Sequence, residues 1–421
     1  MVRSTPYIPR LVDALLAELR DGLPAVLITG PRGSGKTTTA RRASSSMVRL
    51  DRELEAGPVR ADPDGVLASL APPVLLDEWQ AVPEVLGAVK RLVDDGAGAG
   101  RFILTGSVRA ELLAASWPAT GRVIRLTQWG LCERELASLT QQATFFDRVV
   151  AGELDEIRPA TRTLDLRDYI ALALRGSYPE VAQITSANLR RRWLSSYVDQ
   201  LVARDATLHD ETRDPIKLRR YFVALAANTA GVVEHKTVYD AAGVSRLTAR
   251  LYDDLATLLF VADPVPAWHS NRLNRLSRSP KRYLAESALV GPLLGIDERA
   301  VLRDGDLLGR LLDTFVAQQM RPEIEASISA PRLHHLRHEG GDREIDLIAE
   351  LPDGRVIAIE VKASSSPTPA DARHLVWLRE RLGDQVIACV LFHTGPRPFA
   401  VAPGVRALPI SCLWGPANDK P

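Results

Sequence analysis

The chain has 421 residues, and at about 150 residues per domain this length predicts two or three domains rather than a single binding module. Hydrophobic residues make up 46% and charged residues 25%, a composition that excludes wholesale disorder. The 53 basic and 52 acidic residues leave a formal charge of +1, which excludes a histone-like or a highly acidic protein. Any surface that binds nucleic acid must therefore be local.

The cysteines and the hydropathy pattern indicate the cellular compartment of the protein. Cys132, Cys389 and Cys412 are too few and too far apart for a disulfide framework or a cysteine-rich zinc site. Asp13 and Glu18 interrupt the first apolar segment, and no stretch approaches the roughly 18 uncharged apolar residues of a membrane span. We expect a cytoplasmic protein with no membrane partner.

The first third of the chain alternates helix-like and strand-like segments. Leucines at helical spacing predict a helix over residues 11–19, and a β-like run follows at residues 25–29. Two further apolar runs, residues 74–76 and 102–104, are separated by segments of helical length. This alternation predicts a parallel sheet covered by helices.

A glycine-rich loop follows the first strand, and its sequence fits the pattern G-x-x-x-x-G-K-[ST]. In such a loop the backbone N–H groups converge on phosphate oxygens, the lysine adds charge at the β and γ phosphates, and the last hydroxyl can ligate Mg²⁺. The residues predicted to bind the nucleotide are Gly30, Pro31, Arg32, Gly33, Ser34, Gly35, Lys36, Thr37 and Thr38.

Further residues complete this predicted phosphate site. The strand-like run at 74–76 ends in Asp77, predicted to hold Mg²⁺, and Glu78, predicted to orient the attacking water, although an acidic pair at a helix start is the alternative. The hydroxyls of Thr105 and Ser107 are candidate sensors of the γ-phosphate. The alternative is that residues 105–107 form a simple turn. Arg122 is a candidate for stabilising transition-state charge, within the chain or from a neighbouring subunit, or else a surface arginine.

The motifs resemble those of the prokaryotic AAA-superfamily ATPases that carry a large C-terminal domain of unknown function. The resemblance covers nearly the whole chain and implies ATP binding and hydrolysis, while leaving the biological task open. It rests on residues 30–37, 50–51 with 62–63, 76–80, 104–107, 121–122, 176–180, 192–193 with Tyr197, 204–205 and 279–281.

The middle of the chain is predicted to be helical from residue 167 to residue 284. Residues 237–242, a turn at 243–245 and residues 246–259 have the layout of a helix-turn-helix. This layout places Arg246 and Arg250 near the start of the second helix, where residues that contact DNA usually lie.

A run of bases follows the predicted helix-turn-helix. Residues 181–290 hold 16 basic and 11 acidic residues, a local excess that the whole-chain charge conceals. A basic wing against DNA phosphates would use this density, and a solvated loop on a purely structural winged helix is the alternative. The bases predicted to contact DNA here are Arg272, Arg275, Arg278, Lys281 and Arg282.

The last third contains a predicted β-hairpin with two carboxylates and a lysine. Asp346 lies on the strand 343–350, and Glu360 and Lys362 lie on the strand 355–362, with a parity that lets all three face one side. Such a set can hold Mg²⁺, and its spacing resembles the restriction-endonuclease-like superfamily. Asp313, on a predicted helix over 307–320, matches the position of a helical metal ligand in such folds. An ordinary hairpin and a nuclease fold without activity are the alternatives.

Three histidines, His334, His335 and His338, stand just before this hairpin. On a strand, the first and last share one face and the middle one points to the other, which disfavours a common metal site. We therefore predict a polar strand that faces solvent.

Together these patterns predict an α/β multidomain protein. The expected domains are an AAA-type P-loop domain at 1–130, a helical and winged-helix-like domain at 131–290, and an α/β restriction-endonuclease-like domain at 291–421. The expected function is ATP hydrolysis coupled to DNA contact, with a metal-dependent nuclease site. The alternatives are an ATP-controlled switch that binds DNA or protein and cuts nothing, and a transcriptional regulator. ATP, DNA and a second subunit reached through Arg122 are the expected partners.

Overall fold

The structure is a computed structural model, and it describes residues 6–108, 121–205, 214–232, 235–275, 278–338 and 343–416. The chain forms two compact units. The N-terminal unit comprises Met1–Leu131 with Leu258–Phe260, and the C-terminal unit comprises the remainder. The boundary predicted at 130 lies beside the end of the N-terminal unit, and the boundary predicted at 290 lies inside the C-terminal unit.

The N-terminal unit alternates helices and strands around a parallel sheet of five strands in the order β2-β3-β4-β1-β5. A short 3₁₀ helix, Trp79–Ala81, follows β3. The elements are α1 Val12–Gly22, β1 Ala25–Thr29, α2 Lys36–Arg42, β2 Ser46–Arg49, α3 Glu53–Ala61, α4 Pro63–Ser69, β3 Val74–Asp77, α5 Val85–Asp94, β4 Phe102–Gly106 and β5 Ile124–Thr127.

Strand β1 shows why these residues form a central strand. All five of its residues are buried. Ala25 and Leu27 belong to one apolar cluster, and Val26 and Ile28 belong to another, so alternate side chains pack on opposite faces of the sheet. The predicted parallel sheet is confirmed, and its strands β3 and β4 extend to Asp77 and Gly106, which carries polar residues to the strand ends.

The first part of the C-terminal unit is mainly helical. A π-helical segment, Leu201–Asp205, follows α10. The helices are α6 Glu133–Leu136, α7 Phe145–Val150, α8 Leu166–Arg175, α9 Pro179–Ala182, α10 Ala187–Gln200, α11 Pro215–Ala227, α12 His235–Ala242, α13 Arg246–Leu258, α14 Arg272–Arg275, α15 Val290–Leu294, α16 Glu298–Arg303 and α17 Gly305–Ala326.

A two-stranded sheet interrupts the helical region and corrects the prediction of helices alone up to residue 284. Strands β6 (Ala262–Val265) and β7 (Lys281–Leu284) pair antiparallel. All four residues of β7 are buried, although the first two are basic. A strand is recognised in a sequence by alternating apolar, buried residues and polar, exposed ones. The basic residues of β7 are buried against acidic partners, so this alternation is missing.

A mixed six-stranded sheet ends the chain, in the order β12-β13-β11-β10-β9-β8. Strands β8, β9 and β10 pair antiparallel, whereas β10 and β13 both pair parallel with β11. The predicted hairpin is therefore confirmed. The elements are β8 Arg332–Arg337, β9 Glu344–Glu350, β10 Val356–Lys362, α18 Arg373–Leu382, β11 Val386–His393, β12 Phe399–Ala402 and β13 Val405–Pro409.

The prediction of a solvent-facing histidine strand is wrong. His334 and His335 on β8 are buried. The Nε2 atom of His335 lies 3.1 Å from the carbonyl oxygen of Ser279, to which it donates a hydrogen bond. Burial lowers the pKa of His335 to about 4, so the ring is neutral near pH 7.

Hydropathy along the helices bears on the expected absence of a membrane partner. Within the ranges that the structure describes, no helix combines the length and the apolar character needed to cross a bilayer.

Candidate functional site

The loop between β1 and α2 has a backbone that requires glycine. Gly30, Gly33 and Gly35 have φ angles of 149°, 78° and 91°. A Cβ atom on Gly30 would lie 2.2 Å from the carbonyl oxygen of Gln128, so a larger residue does not fit. The sequence therefore fixes this loop in one conformation directly before the start of a helix, the arrangement that presents backbone N–H groups to an anion.

Lys36, the first residue of α2, is 4% exposed. Its ammonium donates to the carbonyl oxygens of Gly30 at 3.0 Å and Pro31 at 2.8 Å. Burial lowers the pKa of Lys36 to about 8, against the opposing effect of nearby carboxylates. The hydroxyl of Ser34 is buried and has no hydrogen-bond partner within the described part of the chain. These donors fit phosphate oxygens.

Asp77 stands at the end of β3 and is bonded by two hydroxyls. Thr37 Oγ1 donates to Asp77 Oδ1 at 2.7 Å, and Thr105 Oγ1 donates to the same oxygen at 2.5 Å. The P-loop threonine and the strand-end aspartate are thus adjacent, beyond the carboxyl ends of the two strands that flank β4, the edge where open α/β sheets bind ligands. Their hard oxygen atoms fit Mg²⁺ held together with a nucleotide.

Glu78 has the backbone and the contacts of a fixed, strained residue. Its φ of 55° lies in the left-handed region, which costs a non-glycine residue on the order of 1–3 kcal/mol. Gln80 Nε2 donates to Glu78 Oε2, and the Ser107 hydroxyl donates to Oε1 at 3.2 Å. The carboxylate is therefore held in one orientation next to Asp77, which suits it to orient a water molecule.

Two buried residues that the sequence patterns did not single out hold the loop from behind. The guanidinium of Arg10 donates to the carbonyl oxygens of Ser34 at 2.7 Å and Trp129 at 2.6 Å. The side-chain amide of Gln128 donates to the same Ser34 oxygen at 3.1 Å. Neither residue lies in a motif, so no sequence signal marks them. Gln80, by contrast, lies two residues after Glu78 and belongs to the stretch that carried the family resemblance.

Arg122, predicted to stabilise transition-state charge, forms an ion pair at the surface. Its Nε donates to Asp94 Oδ1 at 2.8 Å, and the two side chains are 41% and 35% exposed. Exposed pairs of this kind contribute at most about 1 kcal/mol to stability. A role for Arg122 at the active site of a neighbouring subunit stays a prediction.

The C-terminal unit brings together the carboxylates predicted to form a second site. The backbone N–H of Val361 donates to Asp346 Oδ2 at 3.0 Å. Lys362 Nζ donates to Glu360 Oε2 at 2.9 Å, and Glu360 is 3% exposed. We call Asp313, Asp346 and Glu360 the carboxylate cluster.

Lys281 lies inside this cluster, which corrects its prediction as a DNA contact. Its side chain is 1% exposed. Its ammonium donates to Asp313 Oδ2 at 2.6 Å and to Asp346 Oδ1 at 2.9 Å. Burial acts to lower the pKa of Lys281, but Asp313 and Asp346 outweigh it and raise that pKa well above its usual value. Lys281 therefore stays charged and is not available to phosphates in solution.

Three more of the predicted DNA contacts are engaged within the chain. Arg282, 5% exposed, pairs with Asp253 at 3.2 Å, so it too is corrected. Arg275 binds both carboxylate oxygens of Glu350, at 2.5 and 2.8 Å. Arg278 donates to a backbone carbonyl oxygen at 3.0 Å. The side chain of Arg272 is outside the described residues. Most of the basic side chains of the predicted wing are therefore bonded to other groups of the same chain.

The surroundings of Arg246 and Arg250 differ from those of the bases in the predicted wing. Both lie on α13 and are exposed. The turn before them has the predicted tight geometry, with Gly243 at a φ of 65° and the Ser245 hydroxyl accepting from the Thr248 N–H at 3.1 Å. Helix, turn and helix are thus in the predicted places.

Comparisons with known proteins match three segments of the chain to family models. Residues 23–137 match a family model described as an AAA domain, and residues 166–300 and 308–413 match two domains of unknown function, DUF8612 and DUF4143. Uncharacterized proteins of Mycobacterium tuberculosis and Mycobacterium bovis are each 29% identical over 401 residues, which is 93% of this chain and 82% of theirs. A RuvB variant of Thermotoga maritima is 18% identical, with a TM-score of 0.27 over 64% of this chain and 91% of its own.

Proposed function

We propose a function for a chain that joins an AAA-type P-loop ATPase domain to a C-terminal domain of unknown function: ATP hydrolysis that controls contact with DNA. The observation that carries the ATPase part is that four residues meet beyond the carboxyl ends of β1 and β3, the strands on either side of β4: Lys36, Thr37, Asp77 and Glu78. Lys36 would bind the β and γ phosphates, Thr37 and Asp77 would hold Mg²⁺, and Glu78 would orient water. Bound Mg²⁺ supplies positive charge to the phosphates.

The change Lys36→Ala tests this assignment. We expect it to abolish ATP hydrolysis, because no other group in the loop supplies a positive charge at the end of a buried side chain. Phosphate release from Mg²⁺–ATP measures the effect. Arg60→Ala, which removes an exposed surface charge paired with Glu53, is the matched control and should leave turnover unchanged. ATP turnover by Lys36→Ala at the wild-type rate would contradict the ATPase assignment.

The DNA part of the proposal is supported by helix α13. Arg246 and Arg250 are exposed near the start of the second helix of a helix-turn-helix layout, which is followed by the β6–β7 pair. On the same helix Leu247 is 71% and Leu251 is 47% exposed. These apolar residues favour the alternative, in which the ATP-controlled surface binds a protein partner.

The double change Arg246→Ala/Arg250→Ala separates the two partners. If both arginines contact phosphates, duplex affinity should fall and the slope of log affinity against log salt should become shallower by about 2, roughly 1 per contact. Fluorescence anisotropy with labelled duplex at several salt concentrations, with and without ATP, measures both quantities. Arg303→Ala, an exposed arginine on α16, is the control. Binding with an unchanged salt slope would leave the protein-binding alternative.

For the C-terminal unit we propose a nuclease-like fold that cuts nothing, rather than an active nuclease. The hairpin and the spacing of Asp346, Glu360 and Lys362 support the likeness to a nuclease site. The ammonium of Lys281 supports the absence of cutting, because it lies between Asp313 and Asp346, where a metal ion would need oxygen ligands.

A further inference from the structure

We propose that Lys281 is a tethered cation that fills the carboxylate cluster and closes it to divalent metal ions. The inference rests on the non-cutting form of the proposed function, and it is independent of the ATPase site. It assigns a role to a buried lysine that neither the phosphate chemistry of the N-terminal unit nor a DNA-contacting surface uses.

The oxygen atoms of Asp313 and Asp346 already have donors. Asp313 accepts from Lys281 at Oδ2, at 2.6 Å, and from the Tyr283 hydroxyl at Oδ1, at 2.9 Å. Asp346 accepts from Lys281 at Oδ1, at 2.9 Å, and from the Val361 N–H at Oδ2, at 3.0 Å. A Mg²⁺ ion binds carboxylate oxygens at about 2.0–2.1 Å and would have to displace these donors.

The charges of the cluster are largely balanced without a metal ion. The carboxylates of Asp313, Asp346 and Glu360 face two ammonium groups, those of Lys281 and Lys362. Lys281 also approaches the backbone oxygen of Asp346 at 3.4 Å, so its ammonium is surrounded by oxygen atoms of the protein. A compact ammonium surrounded by oxygen atoms has the kind of environment in which a hard metal cation would bind.

The backbone of β7 holds Lys281 in place from both sides. Val265 is its register partner on β6. The next residue, Arg282, exchanges backbone hydrogen bonds with Ala230 at 2.7 Å and Gly231 at 3.1 Å. Its guanidinium also pairs with Asp253. Withdrawing Lys281 with its strand would break these pairings, so the closure is part of the fold.

Within the described residues, no group of three or more histidine, cysteine, aspartate or glutamate side chains is arranged to hold a metal ion. The carboxylate cluster is therefore not an open site in this conformation. Removing the ammonium while keeping the unbranched apolar part of the side chain should turn it into one, with a divalent cation as its ligand.

Mn²⁺ binding to the full-length chain without nucleotide tests the inference, by calorimetry or by the loss of the free Mn²⁺ resonance signal. All variants carry Asp77→Asn, which removes the metal-binding carboxylate of the N-terminal unit. With Lys281 intact we expect no tightly bound Mn²⁺. Adding Lys281→Met should create one binding site per chain, and adding Asp346→Asn to that variant should remove it.

Two results would overturn the inference. One is tight, stoichiometric Mn²⁺ binding by the Asp77→Asn chain that still carries Lys281 and loses the ion with Asp346→Asn. The other is a folded Lys281→Met variant that gains no Mn²⁺. The first measurement needs no change at Lys281, so it can overturn the inference even if Lys281→Met does not fold. Because ATP is absent, a failed ATPase assignment would not alter either result.

Discussion

Glu78→Gln should bind ATP with nearly normal affinity and hydrolyse it about 10²–10⁴-fold more slowly than the wild type. The amide keeps the size of the side chain and can still meet Gln80 and the Ser107 hydroxyl, which fix the carboxylate now. It lacks the negative charge that polarises a water molecule for attack. Glu78→Gln should therefore lose turnover while it keeps its affinity for ATP. Lys36→Ala differs, because it removes a positive charge that would bind the phosphates.

The experiment compares phosphate release with the affinity for a fluorescent ATP analogue in the presence of Mg²⁺. Glu84→Gln is the matched control, because Glu84 is an exposed glutamate just before α5 and has no place among the site residues. It should behave as the wild type does. Hydrolysis by Glu78→Gln within a few-fold of the wild type would show that another group orients the water.

The sequence could predict the parts of these sites that depend on neighbours along the chain. The glycine-rich loop, Lys36 and Thr37 form one continuous stretch, and strand period places Asp346 and Glu360 on one face of a hairpin. Strand β3 ends at Asp77 because its apolar run ends there. In each case, local geometry alone brings the chemical groups together.

Contacts between distant segments could not be predicted in this way. Arg10 reaches a carbonyl oxygen 119 residues away, and Lys281 reaches Asp346 across 65 residues. From the sequence, Lys281 is one more base in a run of five, and nothing local tells a buried lysine from a solvated one. Only the tertiary fold supplies the acidic partners that make its burial favourable.

Internal pairing also changes the meaning of the local excess of bases. Arg275, Lys281 and Arg282 each bind an acidic side chain of the same chain, so they add little to the field outside. The exposed arginines of α13 then carry the case for contact with nucleic acid. A sum of charges over a segment is thus weak evidence for a DNA surface until the partners of each charge are known.

A buried ion pair near the start of the C-terminal unit should have the largest effect on stability. Arg134 Nε and Glu323 Oε1 lie 2.5 Å apart, and both side chains are 1% exposed. Arg134 also donates to the carbonyl oxygen of Leu413 at 2.9 Å, and Glu323 accepts from the N–H of Phe145 at 2.7 Å. The pair thus joins α6, α7, α17 and the 3₁₀ helix Ile410–Leu413, segments far apart in sequence.

Glu323→Ala should lower the free energy of unfolding by about 3–5 kcal/mol, because it leaves the Arg134 charge buried and unpaired. Asp306→Ala removes an exposed partner of Arg310 on the same helix and should change it by at most about 1 kcal/mol. Urea denaturation measures both, and the midpoint should fall without a change of slope. If the two variants were equally stable, the Arg134–Glu323 pair would not hold these segments together. A loss of stability confined to Glu323→Ala would show that the Glu323 carboxylate fixes the segment after the P-loop domain to the C-terminal fold. Without that carboxylate, the buried Arg134 guanidinium has neither a counter-charge nor water around it.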